Sequence, residues 1–153
     1  MSQPKQAVIL CGGLGTRLSP YTDSMPKPMI SCNGKPFLWY LIQQLHEQKI
    51  NRFVLLTGYL SEKINEYFGD GSKWGLSLSY GEQASPKGIA EAFLIGRNFV
   101  GKDKVALILG DNIFFGQNFS EKLKKSVALK SGSVIFAYHV RNPEQFGVVE
   151  FNK

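Results

Sequence analysis

The stretch VILCGGLGTRLSPYTDSMPKPMI, Val8 to Ile30, constrains the chain more than any other. Four apolar residues, Val8, Ile9, Leu10 and Cys11, are stopped by Gly12, Gly13 and Gly15. An apolar run of this kind reads as a buried parallel strand that delivers its backbone to a ligand. Glycines after it let the backbone reach φ > 0 and approach a phosphate closely, because no Cβ intervenes. Arg17 adds a planar fork of donors suited to phosphate oxygens, and Lys27 adds a compact positive charge. The segment reads as a triphosphate cradle. A tight turn with surface charges is the plainer alternative; it accounts for the glycines but not for Arg17 and Lys27 together.

Two familiar glycine loops do not fit. A Walker A loop needs Lys then Ser or Thr directly after its last glycine, and here Gly15 is followed by Thr16, Arg17 and Leu18. A dinucleotide fingerprint needs a third glycine where Leu18 stands, which argues against a dehydrogenase.

The 153 residues are enough for one domain that buries roughly 70% of its extended-chain surface. With 43% hydrophobic and 20% charged residues, the chain belongs with globular proteins and not with disordered ones. Its net charge of +6 suits an anionic ligand. Lys122, Lys124 and Lys125 read as a solvated helix face, so no nucleic-acid partner is expected. MSQPKQ leads directly into the first strand; neither a signal peptide nor a membrane span is expected. Cys11 and Cys32 lack metal-ligand spacing, and two free thiols in a reducing cytoplasm are expected.

Along the chain, strands are expected at Gln6–Cys11, Phe53–Thr57, Leu76–Tyr80, Val105–Leu109, Ser133–His139 and Val148–Phe151. Helical spacing joins Phe37, Leu38, Leu41, Ile42 and Leu45, with Pro36 in the first turn and an end near Gln48. A short helix capped by Ser61 places Ile64, Tyr67 and Phe68 inward. A third helical pattern runs from Ile89 to Phe99 after a break at Ala84–Gly88, and a fourth from Ser120 through Leu129. Gly69–Gly75 reads as a loop. Alternating strands and helices mean an α/β, Rossmann-like, mostly parallel sheet flanked by helices.

Ligands of such sheets bind beyond the carboxyl ends of the strands. That rule gathers the glycine loop, the Gln83–Gly88 region and Asp111 on one rim. A carboxylate at the end of an apolar strand needs a cation or donors. Mg²⁺ on a nucleotide's phosphates is one partner for Asp111, and a helix cap or chain turn is the other reading. Gln83 offers a donor and an acceptor, as a pyrimidine edge does, or is an exposed loop residue.

The pattern GGxGTRLxPxT…PKP, carried by Gly12, Gly13, Gly15, Thr16, Arg17, Leu18, Pro20, Thr22, Pro26, Lys27 and Pro28, resembles the signature of sugar-1-phosphate nucleotidylyltransferases. ALILGDNIFFG (Ala106 to Gly116) is similar to the metal-binding segment of glucose-1-phosphate thymidylyltransferases. QASPKGIAEAF (Gln83 to Phe93) is similar to their base-recognition segment. RNPEQFGVVEF (Arg141 to Phe151) resembles their sugar-side segment.

The resemblance implies transfer of a nucleotidyl group from a nucleoside triphosphate, dTTP first, to a sugar 1-phosphate, glucose 1-phosphate first. It implies Arg17 and Lys27 in catalysis, the glycines and Thr16 on the phosphates, and Gln83 and Gly88 on the base. It further implies Asn112 and Gly147 on the sugar and Asp111 on Mg²⁺. PKPM (Pro26 to Met29) and CNGKPFLWYLIQQL resemble heptose- or mannose-1-phosphate guanylyltransferases instead, with Pro28 where thymidylyltransferases carry glutamine. Family members continue with a Glu-Lys-Pro segment and a further metal-binding aspartate. The expectation is therefore one nucleotidyltransferase domain over 1–153, its N-terminal nucleotide-binding portion, truncated at the C-terminus. A homo-oligomer is expected of the full-length protein, and a non-catalytic nucleotide-binding fragment is the rival from another class.

Overall fold

The computed structural model describes residues 5–84, 88–112, 119–145 and 147–151. Strand β1 (Gln6–Leu10) leads to a tiny hairpin of β2 (Ser31–Cys32) and β3 (Lys35–Pro36), then to helix α1 (Phe37–Glu47). Strand β4 (Arg52–Thr57), helix α2 (Ser61–Phe68) and strand β5 (Ser77–Glu82) follow. Two short helices, α3 (Glu91–Ile95) and α4 (Arg97–Val100), precede strand β6 (Val105–Leu109) and helix α5 (Phe119–Val127).

Four strands form one parallel sheet in the order β5-β4-β1-β6. β1 is bonded on both sides, Val8 facing Val54 on one neighbour and Leu107 on the other. Because side chains alternate across a strand, β1 feeds two cores. Ala7, Ile9 and Cys11 join Phe53, Leu55 and Leu78 beneath α1 and α2, packing on Leu38, Leu41, Ile42, Ile64 and Phe68. Val8 joins Val54 and Leu56 on the opposite face, against Ala92 and the partly buried Ile95, Phe99 and Val100 of α3 and α4. The buried Gln6 ties the two layers, its Nε2 donating to the Val100 carbonyl at 2.9 Å.

Four of the six expected strands and the helix at Phe37 form as the periodicity requires. The others depart for identifiable reasons. Ser133–His139 and Val148–Phe151 are not strands: they run without regular structure, with Ile135 69% and Phe151 82% exposed. A strand exists only through its ladder, and these apolar residues have no neighbouring strand among the described residues.

The expected helix over Ile89–Phe99 is divided at Gly96, whose backbone at φ −77° and ψ 0° leaves the helical region between α3 and α4 while its N–H still donates to the Ala92 carbonyl at 2.8 Å. Ser61 is not a cap but the first helical residue; Leu60, in the left-handed region at φ 51°, precedes it without a side-chain hydrogen bond. Pro36 is likewise the residue before α1, paired in the hairpin with Ser31. The Gly69–Gly75 loop holds one 3₁₀ turn at Ser72–Trp74. Ser85 to Lys87 of the expected break, and Ile113 to Gly116 of the segment that resembles a metal-binding one, lie outside the described residues.

Phe53 is fully buried at the junction of β4 with both α1 and α2. Phe53→Ala should lower unfolding free energy by about 3–5 kcal/mol through lost burial and the cavity left behind. Urea denaturation checks this: the midpoint should fall with little change in slope.

Candidate functional site

At the carboxyl ends of β1, β5 and β6 the sheet opens into a cleft of about 620 Å³. Gly12, Gly13, Gly15, Thr16 and Arg17 line it from the loop after β1, and Lys27 and Pro28 from further along the same connection. Gln83 and Gly88 line it from beyond β5, and Asp111 from beyond β6. The volume is within the range of small-molecule sites. The parallel register explains the convergence. Leu10, Leu56 and Leu109 are mutually aligned, so the segments that follow leave the sheet at one height.

The glycine loop is held by its own residues. Gly15 has φ 63°, and a Cβ there would meet Thr22 Cγ2 at 2.8 Å. A side chain is therefore excluded twice, by backbone conformation and by space. Thr22, only 3% exposed, donates its hydroxyl to the Gly15 carbonyl at 2.9 Å. Tyr59 donates to the Asp23 carbonyl at 2.8 Å, anchoring the far end of the loop to the β4–α2 connection. Thr16–Leu18 form a 3₁₀ turn that leaves Arg17 exposed in the cleft, its guanidinium without a hydrogen bond or ion pair among the described residues.

Lys27 opens a second 3₁₀ turn, Lys27–Met29, set by Pro26 and by the buried Pro28 and Met29. Its Nζ reaches Asp111 Oδ2 at 2.5 Å, across 84 positions of sequence. Both side chains remain partly exposed, at 42% and 37%, so the pair adds little to stability and stays within reach of a ligand. Asp111 is placed by Gly110, whose N–H donates to the Leu10 carbonyl at 2.7 Å; a Cβ there would come within 2.8 Å of that oxygen.

Beneath the pair lies the buried Cys11. Burial, reinforced by the nearby Asp111 charge, pushes its thiol pKa far up, and Sγ donates weakly to the Ile9 carbonyl. A thiol so held is inert and supplies no nucleophile. Tyr80, on β5, is pushed up to about 12, chiefly by burial and further by the Asp70 charge; its hydroxyl donates to the Gly69 carbonyl.

The arrangement can hold a polyanion: exposed loop backbone, Arg17 and Lys27 line one cleft, with the Asp111 carboxylate beside Lys27. Among the described residues no group of three or more His, Cys, Asp or Glu stands ready for a metal. Asp111 alone still fits Mg²⁺ chemistry, since that ion is commonly held by one carboxylate together with substrate phosphates and waters.

The cleft brings together Gly12, Gly13, Gly15, Thr16, Arg17, Lys27, Gln83, Gly88 and Asp111. Asn112 is not among its lining residues; it follows Asp111, exposed, with its N–H on the Leu109 carbonyl. Gly147 lies in the exposed stretch without regular structure and does not line the cleft either. Thr22, a member of the glycine-loop motif, closes the loop on Gly15 and does not line the cleft. Glu91 escaped the residue-by-residue reading, because its contact with Gln83 depends on the fold.

A family model described as nucleotidyl transferase matches residues 6–153. A glucose-1-phosphate thymidylyltransferase of Neisseria meningitidis is 44% identical over 149 residues, 97% of this chain and 52% of that protein. A Bacillus anthracis protein assigned as a glucose-1-phosphate thymidylyltransferase, crystallised with sucrose, superposes with a TM-score of 0.70 at 30% identity, covering 79% of this chain and 50% of its own. HddC from Yersinia pseudotuberculosis, complexed with GMP-PN, gives 0.66 at 27% identity, with 81% and 55% covered. The chain thus spans about half the length of the curated relatives it matches. No helix among the described residues is long and apolar enough to cross a membrane.

The two cysteines should behave oppositely, Cys11 being buried and Cys32 exposed. In a thiol titration with an aromatic disulfide, the native protein should react at Cys32 alone, and denaturant should release the second equivalent.

Proposed function

Because this chain belongs to the nucleotidyl transferase family, we propose that its cleft binds a nucleoside triphosphate for nucleotidyl transfer to a sugar 1-phosphate. The observation that carries this reading is the Lys27–Asp111 pair beside the glycine loop, two opposite charges 84 positions apart brought to one rim. The domain over 1–153 is read as the nucleotide-binding portion of a nucleotidyltransferase. The two free cysteines accord with a cytoplasmic setting.

In the proposed reaction an oxygen of the sugar phosphate forms a bond to the α-phosphorus, and the bond from that phosphorus to the pyrophosphate oxygen breaks. The substrate is itself the nucleophile, which agrees with an inert Cys11. The protein's part is then positioning and charge stabilisation. The exposed backbone of Gly12, Gly13 and Gly15, with Thr16, cradles the phosphates. Arg17 neutralises the charge that develops on the departing pyrophosphate. Lys27 leaves Asp111 for the α-phosphate, a move that their partial exposure makes inexpensive. Asp111 would hold Mg²⁺, which would supply further charge neutralisation there. Gln83 and Gly88 meet the base, and Asn112 and Gly147 are assigned to the sugar.

Thymidine triphosphate and glucose 1-phosphate are the first-choice substrates, supported by the 44% identity to a protein of that activity. A guanylyltransferase is the second reading, favoured by Pro28 on the cleft wall and by the likeness to HddC with its guanine nucleotide analogue.

Two measurements test this reading. The chain with Mg²⁺ should be stabilised by dTTP, by about 2.7 kcal/mol at a hundred times the dissociation constant. In a pyrophosphate-release assay with glucose 1-phosphate, Lys27→Ala should lower turnover about a hundredfold, near 3 kcal/mol. Its urea midpoint should barely move. Turnover equal to wild type in that variant removes Lys27 from the reaction, and triphosphate binding without pyrophosphate release identifies a binding module.

A further inference from the structure

Gln83 and Glu91 carry an inference that rests on the nucleotide reading above and extends it. Gln83 is 7% exposed, and its backbone N–H donates to the Thr57 carbonyl at 2.8 Å, prolonging the β4–β5 ladder. Its carboxamide stands between two neighbours. On one side Nε2 donates to Glu91 Oε2 at 2.9 Å. On the other, Oε1 lies over Gly12, so near that a Cβ on that residue would come within 2.8 Å of it.

The two ends of a carboxamide are alike in shape and opposite in hydrogen-bonding sense. Glu91 decides which end faces which way. Turning the amide over would set Oε1 against the Glu91 carboxylate, acceptor on acceptor, and would forfeit a charge-assisted bond. Gln83 lines the cleft and Glu91 does not, so Glu91 acts on a ligand through Gln83.

We propose that Glu91 is a positioning residue that holds the Gln83 carboxamide with its oxygen toward the glycine loop, so that the cleft takes nucleobases with a protonated ring nitrogen and rejects those without one. Thymine and uracil carry N3–H and guanine carries N1–H, each a donor for Oε1. Cytosine N3 and adenine N1 bear lone pairs there. A ring nitrogen lone pair facing Oε1 leaves two acceptors opposed at a buried carboxamide. The rule groups dTTP, UTP and GTP against CTP and ATP, and it makes no distinction inside the first group.

The test is equilibrium binding of the five triphosphates, with Mg²⁺, to the 153-residue chain and to Glu91→Gln. Glutamine at position 91 keeps the size of the side chain but can donate or accept, so it tolerates either orientation of Gln83. The wild type should bind dTTP at least about tenfold more tightly than CTP, because a mismatched polar site discriminates strongly. Glu91→Gln should shrink that ratio to about threefold or less, chiefly by tightening CTP. Glu91→Asp keeps the carboxylate and should retain most of the preference.

A wild-type ratio persisting in Glu91→Gln overturns the proposal while leaving the nucleotide site intact. So does a uniform loss of all five ligands in that variant, which marks a merely structural contact. Equal binding of CTP and dTTP by the wild type overturns it as well. Failure of the wild type to bind any triphosphate overturns the nucleotide reading, and this inference with it.

Discussion

Everything at the rim of this protein depends on β1 being hydrogen-bonded on both sides in parallel register, to β4 and to β6. A parallel ladder aligns carboxyl ends, and three connections therefore leave the sheet together. One carries the glycine loop, one leads through α2 and β5 to Gln83, and one carries Asp111. A strand inserted between β1 and β6 would separate Asp111 from Lys27 by roughly a further 5 Å and dissolve the pair. The alignment also requires β1 to be apolar on both faces, since helices cover both. Val8 and Ile9, neighbours in sequence, are fully buried in opposite layers.

The rim itself is built by close approach. Gly12 allows Gln83 to lie across the loop, Gly15 allows Thr22 to close it, and Gly110 allows the chain to turn against Leu10 and present Asp111. In each place a methyl group would strike a neighbouring atom at about the same short distance, 2.8 Å. Glycine gives up more conformational freedom on folding than other residues, and here it permits close approaches that a Cβ would block.

Away from the rim the picture is uneven. β6 is the most apolar strand in sequence, yet among the described residues it pairs on one side only, and Val105, Ala106, Leu107 and Leu109 are just partly buried. The apolar stretch from Val134 to Phe136 lies exposed beside α5, around a shallow hollow of about 300 Å³ shared with Lys122 and Lys125. These residues belong to the continuous apolar run that reads as a fifth strand. A strand requires a partner ladder, and among the described residues there is none.

Residues Val8 to Lys27 by themselves determined the strand, the glycine loop and the positive charges beside it, because backbone freedom at glycine and fixed charge at Arg and Lys are local properties. Periodicity likewise set α1 and the four sheet strands, since burial on one or two faces leaves a repeating mark. What the chain could not declare was which distant groups meet. Lys27 with Asp111, Gln83 with Glu91 and Gly12 with Gln83 are products of strand order and register, which no local pattern encodes. The failure of Ser133–His139 to become a strand was also a tertiary decision, because among the described residues no neighbouring ladder receives it.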